Sequence, residues 1–259
     1  MTTRPLLSRD DSDDQPTLRL AVLIDADNAQ ATLIEPLLAE VARYGEATVR
    51  RIYGDFTSSQ SSSWKKVLQP HAIKPVQQFA YTTGKNSTDS ALIIDAMDLL
   101  YTRRFDGFCL VTSDSDFTGL AMRLREEGLT VLGFGAKKTP EAFRKACHRF
   151  VFTELLKAQG DEAPSQPDPA PAKQPQRQPK FPKSFMLAAL DETSDDTGWA
   201  NLGAFGRYLN EVQPDFDPRT YGFRKLSDLV SSRKDLFVIE ERRSTRSGQP
   251  VLFLRAKKS

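Results

Sequence analysis

A proline-rich segment divides the chain and constrains its fold more than any other feature. Residues 161–180 read DEAPSQPDPAPAKQPQRQPK and contain six of the 16 prolines but no aromatic or branched apolar residue. Such a segment cannot bury enough apolar surface to offset the entropy lost on ordering, and its prolines favour an extended, semi-rigid spacer. The sequence therefore predicts two folded domains. Their bounds are 18–157 and 181–259, separated by a linker at 158–180 and preceded by a disordered leader at 1–17.

The composition excludes several classes of protein. No apolar run approaches the roughly 20 residues that a membrane-spanning helix needs, and the acidic opening stretch DDSDD at 10–14 does not resemble a secretory signal. The two cysteines, Cys109 and Cys147, are too few for a disulfide framework or a thiolate zinc site, which indicates a cytoplasmic location. The chain has 36 basic and 34 acidic residues, so its net charge is only +2. Any surface that binds anions must therefore be a local cluster of basic side chains.

Short apolar runs alternate with longer amphipathic segments in the first domain. This alternation predicts an α/β fold with a doubly wound, mostly parallel sheet, and right-handed connections give the strand order 3-2-1-4-5 most simply. Strands are predicted at 18–24, 48–53, 72–76, 108–112 and 130–134, with a further short strand at 150–152. Helices are predicted at 30–44, 61–69, 88–102, 117–127 and 140–147.

Acidic side chains follow the two strands that flank the reversal of winding. Strand one ends in LIDADN, with Asp25 and Asp27, and strand four ends in LVTSDSDF, with Asp114 and Asp116. Ligands bind open α/β sheets outside the carboxyl ends of the strands at this switch point, so these acids border the predicted site. For any one of them, a turn-forming or helix-capping role is the alternative, and Asp116 before Phe117 is the clearest case.

A third segment brings another acid to the same rim. In GKNSTDSALIIDAMDLL, Ser87 or Thr88 can cap a helix, which places Asp89 in its first turn. Crowded carboxylates repel one another unless a cation neutralises them, and Mg²⁺ or Mn²⁺ takes oxygen ligands of this kind. The sequence therefore predicts a divalent metal site. Asp95 and Asp98 lie deeper in the same helix, where a structural role is at least as good an interpretation.

Three polar residues near these acids are candidates for substrate contacts. Lys85 precedes the helix that carries Asp89 and could contact a substrate phosphate, or remain a solvated loop lysine. Asn28 could cap the first helix or orient a water molecule. Ser113 could hydrogen-bond the substrate, although a structural role is the stronger interpretation for it.

The motifs LIDADN, GKNSTDSALIID, VTSDSDF and LREEGLTVLGFG resemble, in this order and spacing, the NYN domain of the PIN-like nuclease superfamily. The resemblance covers roughly residues 18–155 and is greatest to the LabA-like branch. It implies a ribonuclease in which acids from strand one, the middle helix and strand four hold Mg²⁺ or Mn²⁺ for phosphodiester hydrolysis. By position, the implied acids are Asp25, Asp89 and Asp114, with Asp116 as a further acid and Asn28 as an accessory group.

The second domain has the pattern of a winged helix. Helices at 184–192, 200–210 and 219–232 precede the strands LFVIEE and VLFLR, which a turn at SGQ joins. The segment WANLGAFGRYLNEVQPDFDPRTYGFRKLSDLV resembles the OST-HTH or LOTUS domain, which implies RNA binding or, alternatively, a protein partner. Basic side chains could contact RNA phosphates from the third helix, through Arg219, Arg224 and Lys225, and from the wing, through Arg242, Arg243 and Arg246.

Three functions are compatible with these patterns. The first is a metal-dependent ribonuclease to which the second domain recruits RNA. The second is a non-catalytic RNA-binding adaptor whose acids hold metal only structurally. The third is a phosphatase of the haloacid dehalogenase type, because IDADN presents an Asp-x-Asp after strand one, although Asn28 and Ala29 stand where that family has a threonine.

Overall fold

The computed structural model describes residues 17–57, 62–79, 87–160, 180–243 and 250–257. The predicted leader up to residue 16 and the predicted linker from 161 to 179 lie outside these ranges. Among the helices of the described ranges, none combines the length and the apolar character that crossing a bilayer requires.

A six-stranded parallel sheet forms the centre of the first domain, in the order β3-β2-β1-β4-β5-β6. The predicted order of the first five strands is confirmed, and the short sixth strand adds to the edge beside β5. β1 is buried from Leu20 to Asp25 because helices cover both faces of a central parallel strand. The strands are β1 Leu18–Asp25, β2 Gly45–Gly54, β3 Lys74–Gln77, β4 Gly107–Val111, β5 Thr130–Gly135 and β6 Arg149–Phe152.

Six helices cover this sheet in two layers. The helices α3, α4 and α5 pack on one face around Leu92 and Phe117, and α1, α2 and α6 pack on the other around Leu37 and Leu156. α6 extends three residues into the segment predicted as linker. The helices are α1 Ile34–Val41, α2 Ser62–Leu68, α3 Ser87–Tyr101, α4 Thr118–Glu126, α5 Glu141–Ala146 and α6 Thr153–Gly160.

The second domain combines helices with a small antiparallel sheet around its own core, which includes Phe205, Leu209 and Phe237. The two strands of the predicted hairpin pair antiparallel, and the turn predicted at SGQ lies outside the described residues. A two-residue strand before the second helix completes a sheet of order β7-β9-β8. Its helices are α7 Lys183–Thr193, α8 Leu202–Val212 and α9 Leu226–Ser232, and its strands are β7 Ala200–Asn201, β8 Phe237–Arg243 and β9 Pro250–Ala256.

The continuous third helix predicted at 219–232 is wrong. A short 3₁₀ turn at Pro218–Tyr221 ends at Gly222, whose φ of 86° is left-handed, and α9 begins only at Leu226. Asp217 caps the turn by accepting a hydrogen bond from the backbone N–H of Arg219. A glycine adopts this left-handed conformation without steric cost, so the chain breaks there and turns into a separate helix.

The two domains are in contact at the β6 edge of the large sheet. The backbone N–H of Phe150 donates to the carbonyl of Pro214 at 2.9 Å, and Arg144 forms an ion pair with Asp215. Since β6 lies at the end of the strand order, this contact covers a backbone donor that an edge strand otherwise exposes.

Candidate metal centre and basic surfaces

Three of the four predicted metal ligands meet at the carboxyl ends of the strands. One carboxylate oxygen from each of Asp89, Asp114 and Asp116 lies within 4.8 Å of the other two. Asp89 stands in the first turn of α3, as predicted. Asp114 caps the short 3₁₀ turn after β4, because its Oδ1 accepts the backbone N–H of Asp116 at 2.9 Å. The capping role considered for Asp116 therefore belongs to Asp114.

The fourth predicted ligand, Asp25, lies deeper than this trio and is fully buried. Its Oδ1 accepts the backbone N–H of Asp27 at 2.9 Å. Its Oδ2 accepts the side-chain amide of Asn28 at 2.7 Å and the hydroxyl of Thr112 at 2.9 Å. A carboxylate offers about four lone-pair directions, so these three donors leave about one direction for another partner. Asn28 therefore positions the carboxylate of Asp25 through a direct hydrogen bond.

Burial and the neighbouring acids together raise the pKa of Asp89. Partial burial is the largest cause, and the negative charges of Asp25, Asp114 and Asp116 add to it, which raises the pKa to about 6. No ion pair joins Asp89 or Asp114 to a basic side chain within the part of the chain that the structure describes. Negative charge is therefore concentrated around Asp89 and Asp114, and a divalent cation bound by oxygen ligands would neutralise it.

Asp95 belongs to a different arrangement on α3. Arg51 forms an ion pair with Asp95, and the hydroxyl of the buried Tyr53 donates a hydrogen bond to it. Burial and the carboxylate of Asp95 raise the pKa of Tyr53 above its usual range, so this hydroxyl keeps its proton. Because Tyr53 pairs with Asp25 in the sheet, Asp95 connects the helix of Asp89 to the strand beside Asp25.

Sequence reasoning missed one acid at the same end of the sheet, Asp55. It follows β2 directly and accepts hydrogen bonds from Thr57 and Gln77. Desolvation raises the pKa of Asp27, and the charges of Asp25 and Asp55 raise it further. The sequence contains a signal for Asp55, because an acid stands at the end of a parallel strand in IYGD as it does in LIDAD.

Two further candidates have different outcomes. Ser113 is buried, and its hydroxyl accepts the backbone N–H of Ala136 at 2.9 Å, which ties the end of β4 to the turn after β5. Lys85 lies outside the described residues.

The wing of the second domain carries stacked cationic and aromatic side chains. The guanidinium of Arg242 lies 4.6 Å from the ring centroid of Trp199 and 4.7 Å from that of Phe253, and Arg255 lies 4.8 Å from Trp199. Arg242 also donates to Glu240 at 3.1 Å. Arg243 is exposed beside it, and Arg246 lies outside the described residues.

The basic residues predicted on the third helix separate into two groups. Arg224 and Lys225 are exposed. Arg219 instead lies at the domain junction with its side chain only 11% exposed, and it donates to both oxygens of Glu40 at 2.9 and 3.0 Å. Burial opposes its charge, but hydrogen bonds to Asp217 and Glu40 raise the pKa of Arg219 above its usual range. Its guanidinium therefore joins the two domains in this arrangement.

Comparisons with known protein families agree with the resemblances seen in the sequence. The family model of the NYN domain matches residues 19–156, and that of the OST-HTH/LOTUS domain matches residues 177–248. The predicted succession of these two domains is confirmed. A comparison with curated proteins gives no match.

Solved structures with similarity to parts of the chain come from three bacteria. A solution NMR structure of an uncharacterized protein from Nitrosomonas europaea is 57% identical, with 38% of this chain and 93% of that chain covered and a TM-score of 0.31. A crystal structure of a protein of unknown function from Vibrio parahaemolyticus is 16% identical, with 54% and 94% covered and a TM-score of 0.45. A solution NMR structure from Chromobacterium violaceum is 28% identical, with 33% and 90% covered and a TM-score of 0.26.

Proposed function

The chain belongs to the NYN domain family, and on that premise we propose that it is a cytoplasmic, metal-dependent ribonuclease to which the second domain recruits RNA. The observation that carries this proposal is the convergence of Asp89, Asp114 and Asp116 from two separate segments within 4.8 Å. NYN domains are PIN-like nuclease domains, and OST-HTH domains bind RNA, so both halves of the chain favour RNA as the substrate.

The side chains of the acidic site fit Mg²⁺ or Mn²⁺ better than a softer metal. All three members of the trio offer carboxylate oxygens, which these ions prefer over nitrogen or sulfur. Burial raises the pKa of Asp89 to about 6, and the negative charges of the neighbouring acids add to the rise. When bound, such an ion neutralises charge on a phosphodiester oxygen and lowers the pKa of an attacking water.

The surrounding residues hold these carboxylates in place. The backbone N–H of Asp116 fixes the rotamer of Asp114. Thr112 donates to Asp25 while its oxygen accepts the backbone N–H of Asp114 at 3.2 Å, so the ends of β1 and β4 move together. We propose Asp25 as a further acid of the metal site beneath the trio, with Asn28 and Thr112 as its positioning residues. Such a supporting shell keeps the acids in a productive geometry.

The burial of Asp25 argues against the phosphatase alternative. A phosphatase of the haloacid dehalogenase type requires this aspartate to attack phosphorus as a nucleophile. Asp25 is fully buried, and both of its oxygens accept hydrogen bonds. A carboxylate held in this way is a poor nucleophile for a substrate that arrives from solvent.

The wing is the proposed RNA contact of the second domain. Arginine guanidinium planes and aromatic rings stack on bases, and arginines also pair with phosphates. Trp199 and Arg242 form such a stack on the wing, and the exposed Arg243 adjoins it. This surface would contribute affinity with little sequence preference, because it offers stacking and charge rather than a pattern of base-edge contacts.

Cleavage assays with the purified full chain test the proposal. Single-stranded RNA, structured RNA and DNA are incubated separately with Mg²⁺, Mn²⁺ or EDTA. We expect RNA to be cut with either metal and to remain intact in EDTA. Undiminished cleavage in EDTA would exclude the metal mechanism, and RNA binding without any cleavage would favour the non-catalytic adaptor.

A further inference from the structure

The junction of the two domains contains a cavity of about 280 Å³ that is lined by basic side chains. Arg43 and Arg149 line it from the NYN domain, and Arg224 and Lys225 line it from the OST-HTH domain. Neither domain supplies this set alone, so the cavity exists as a basic site only when the two domains are docked. We name these four residues and the space between them the junction cleft.

The carboxylates next to the cleft are already neutralised by arginines. Glu40 pairs with Arg219 at 2.9 Å and with Arg43 at 3.1 Å. Asp217, which lines the cleft, pairs with Arg219 at 2.7 Å and lies 3.6 Å from Arg149. Two carboxylates are therefore shared among three arginines, which leaves about one positive charge in excess within this network.

Two further cations of the cleft increase this excess. Among the described residues, no ion pair links Arg224 or Lys225 to a carboxylate, and both side chains are exposed. In addition, the Nε of Arg149 is a buried donor without a hydrogen-bond partner. The cleft therefore has more positive charge than its own carboxylates neutralise.

We propose that the junction cleft binds a phosphate group of the RNA backbone, on the same strand that the acidic site cleaves. This inference rests on the proposed ribonuclease function. Arginine presents a planar fork that matches phosphate oxygens, and lysine adds a point charge. The cavity is slightly smaller than the roughly 300 to 1,000 Å³ of most small-ligand pockets, which suits one phosphodiester unit rather than a whole nucleotide.

The sheet register relates the cleft to the acidic site. Arg149 of β6 pairs with Leu132 of β5, and Leu132 pairs with Cys109 of β4. Cys109 in turn pairs with Val22 of β1, which stands three residues before Asp25. Three strand spacings and three residues therefore separate Arg149 from Asp25. With strands about 4.8 Å apart and a rise of about 3.3 Å per residue, the backbones of Arg149 and Asp25 are separated by roughly 17 Å. Arg149 begins β6, whereas Asp25 ends β1, so an RNA strand that reaches both must follow a surface path longer than this straight line. Single-strand binding grooves occupy about 4 to 16 nucleotides, which is enough for such a path.

The salt dependence of RNA binding by the full chain tests this proposal. Binding of a fluorescent single-stranded RNA is measured in EDTA, which prevents cleavage, over a series of salt concentrations. Each phosphate contact on a single strand contributes about 0.7 to the slope of log K against log salt. Because the cleft is proposed to hold one phosphate, we expect the double variant Arg224→Gln with Lys225→Gln and the single variant Arg43→Gln each to reduce the slope by up to about 0.7.

A matched control removes two arginines elsewhere. Arg103 and Arg104 are neighbouring exposed residues that follow α3. The helix α3 packs on the face of the sheet opposite to α1. The double variant Arg103→Gln with Arg104→Gln changes the net charge by the same amount as the double cleft variant, and it should leave the slope at the wild-type value. Circular dichroism melts verify that every variant is folded, which is expected because the substituted side chains are at the surface.

The possible outcomes separate the sources of phosphate. Equal slopes for wild type and both cleft variants overturn the proposal. A loss confined to the Arg224 and Lys225 variant also overturns it, because the site would then belong to the OST-HTH domain alone. A third outcome combines two measurements: the RNA slopes of the variants equal that of the wild type, and calorimetry shows that inorganic phosphate binds the wild type but not Arg43→Gln. The cleft would then bind a free phosphate compound, and the RNA proposal would be overturned. Cleavage of RNA by the wild type in Mn²⁺ is measured in a separate assay. A lack of cleavage there contradicts the ribonuclease proposal, whereas the salt slopes in EDTA test the cleft alone.

Discussion

Carboxylates gather at two places in this protein, and their neighbours differ. At the domain junction, the side chains of Glu40 and Asp217 are 1% and 4% exposed, and arginines meet both. At the acidic site, Asp89 is more exposed, yet its pKa is raised to about 6 because burial combines with like charges. The sign of the neighbouring charges therefore distinguishes a carboxylate that joins domains from one that is available to a metal.

The largest expected effect is on catalysis at the acidic site. Asp114→Asn preserves the size of the side chain but removes the charge of one proposed ligand, so the rate of RNA cleavage in Mn²⁺ should fall by about 100-fold to 1,000-fold. Single-turnover assays measure this loss. Asp98→Asn, an exposed position on α3, is the matched control and should cleave at the wild-type rate. Activity of Asp114→Asn within a fewfold of wild type would move the site elsewhere.

The next largest effect concerns the stability of the junction. Arg219→Ala leaves Glu40 and Asp217 with fewer positive partners, and breaking a buried ion pair costs about 3 kcal/mol in the free energy of unfolding. Urea denaturation of Arg219→Ala, Glu40→Ala and the double variant should reveal a coupling energy above about 1 kcal/mol. The exposed pair of Glu141 and Lys145 is the control, with an expected coupling below about 0.5 kcal/mol. Similar couplings for the two pairs would contradict a structural role for the junction.

A smaller effect tests the repulsion within the acidic site. The pKa of Asp89 is raised from 3.8 to about 6 in the folded chain, so its carboxyl opposes folding increasingly as the pH rises through this window. In EDTA, Asp89→Asn should therefore match the wild type below pH 3.8 and be more stable above pH 6. We expect a gain of about 1 kcal/mol, less than the full shift implies, because solvent screens a partly exposed group.

Thermal melts in EDTA across the pH range, followed by melts in Mn²⁺, provide the measurement. The metal should stabilise the wild type more than Asp89→Asn, since a ligand that binds only the folded state raises its stability. A variant that is less stable than the wild type above pH 6 without metal would show that Asp89 is not repelled by its neighbours.

The smallest effect concerns the bridge between β2 and α3. Tyr53→Phe removes the hydroxyl that donates to Asp95, which should lower stability by about 1 kcal/mol and weaken Mn²⁺ binding slightly, because Asp89 is carried on the same helix. The concentration of Mn²⁺ that gives half-maximal cleavage reports the second effect. Tyr208→Phe, a half-buried tyrosine in the second domain, is the control. An unchanged Mn²⁺ requirement would limit Asp95 to a purely structural role.

Much of the acidic site was predictable because its signals are local. Apolar runs followed by LIDADN and LVTSDSDF indicate buried strands that end in acids, and Asp89 follows from a helix start. The parallel order of the strands then brings these acids to one rim. The same reasoning failed at Gly222, where one left-handed glycine divides a segment that otherwise has the pattern of one helix.

Two domains, the order of the strands and the rim where the acids meet were predictable from the sequence. They follow from apolar periodicity, from turn chemistry and from the right-handed connections of parallel strands. The burial of Asp25 beneath the trio and the pairing of Arg219 with Glu40, 179 residues away, are results of how the folded chain packs. The physical reason is that an arginine in an ion pair and an arginine in solvent have the same local pattern. Which of them is buried depends on how two separately specified surfaces pack together.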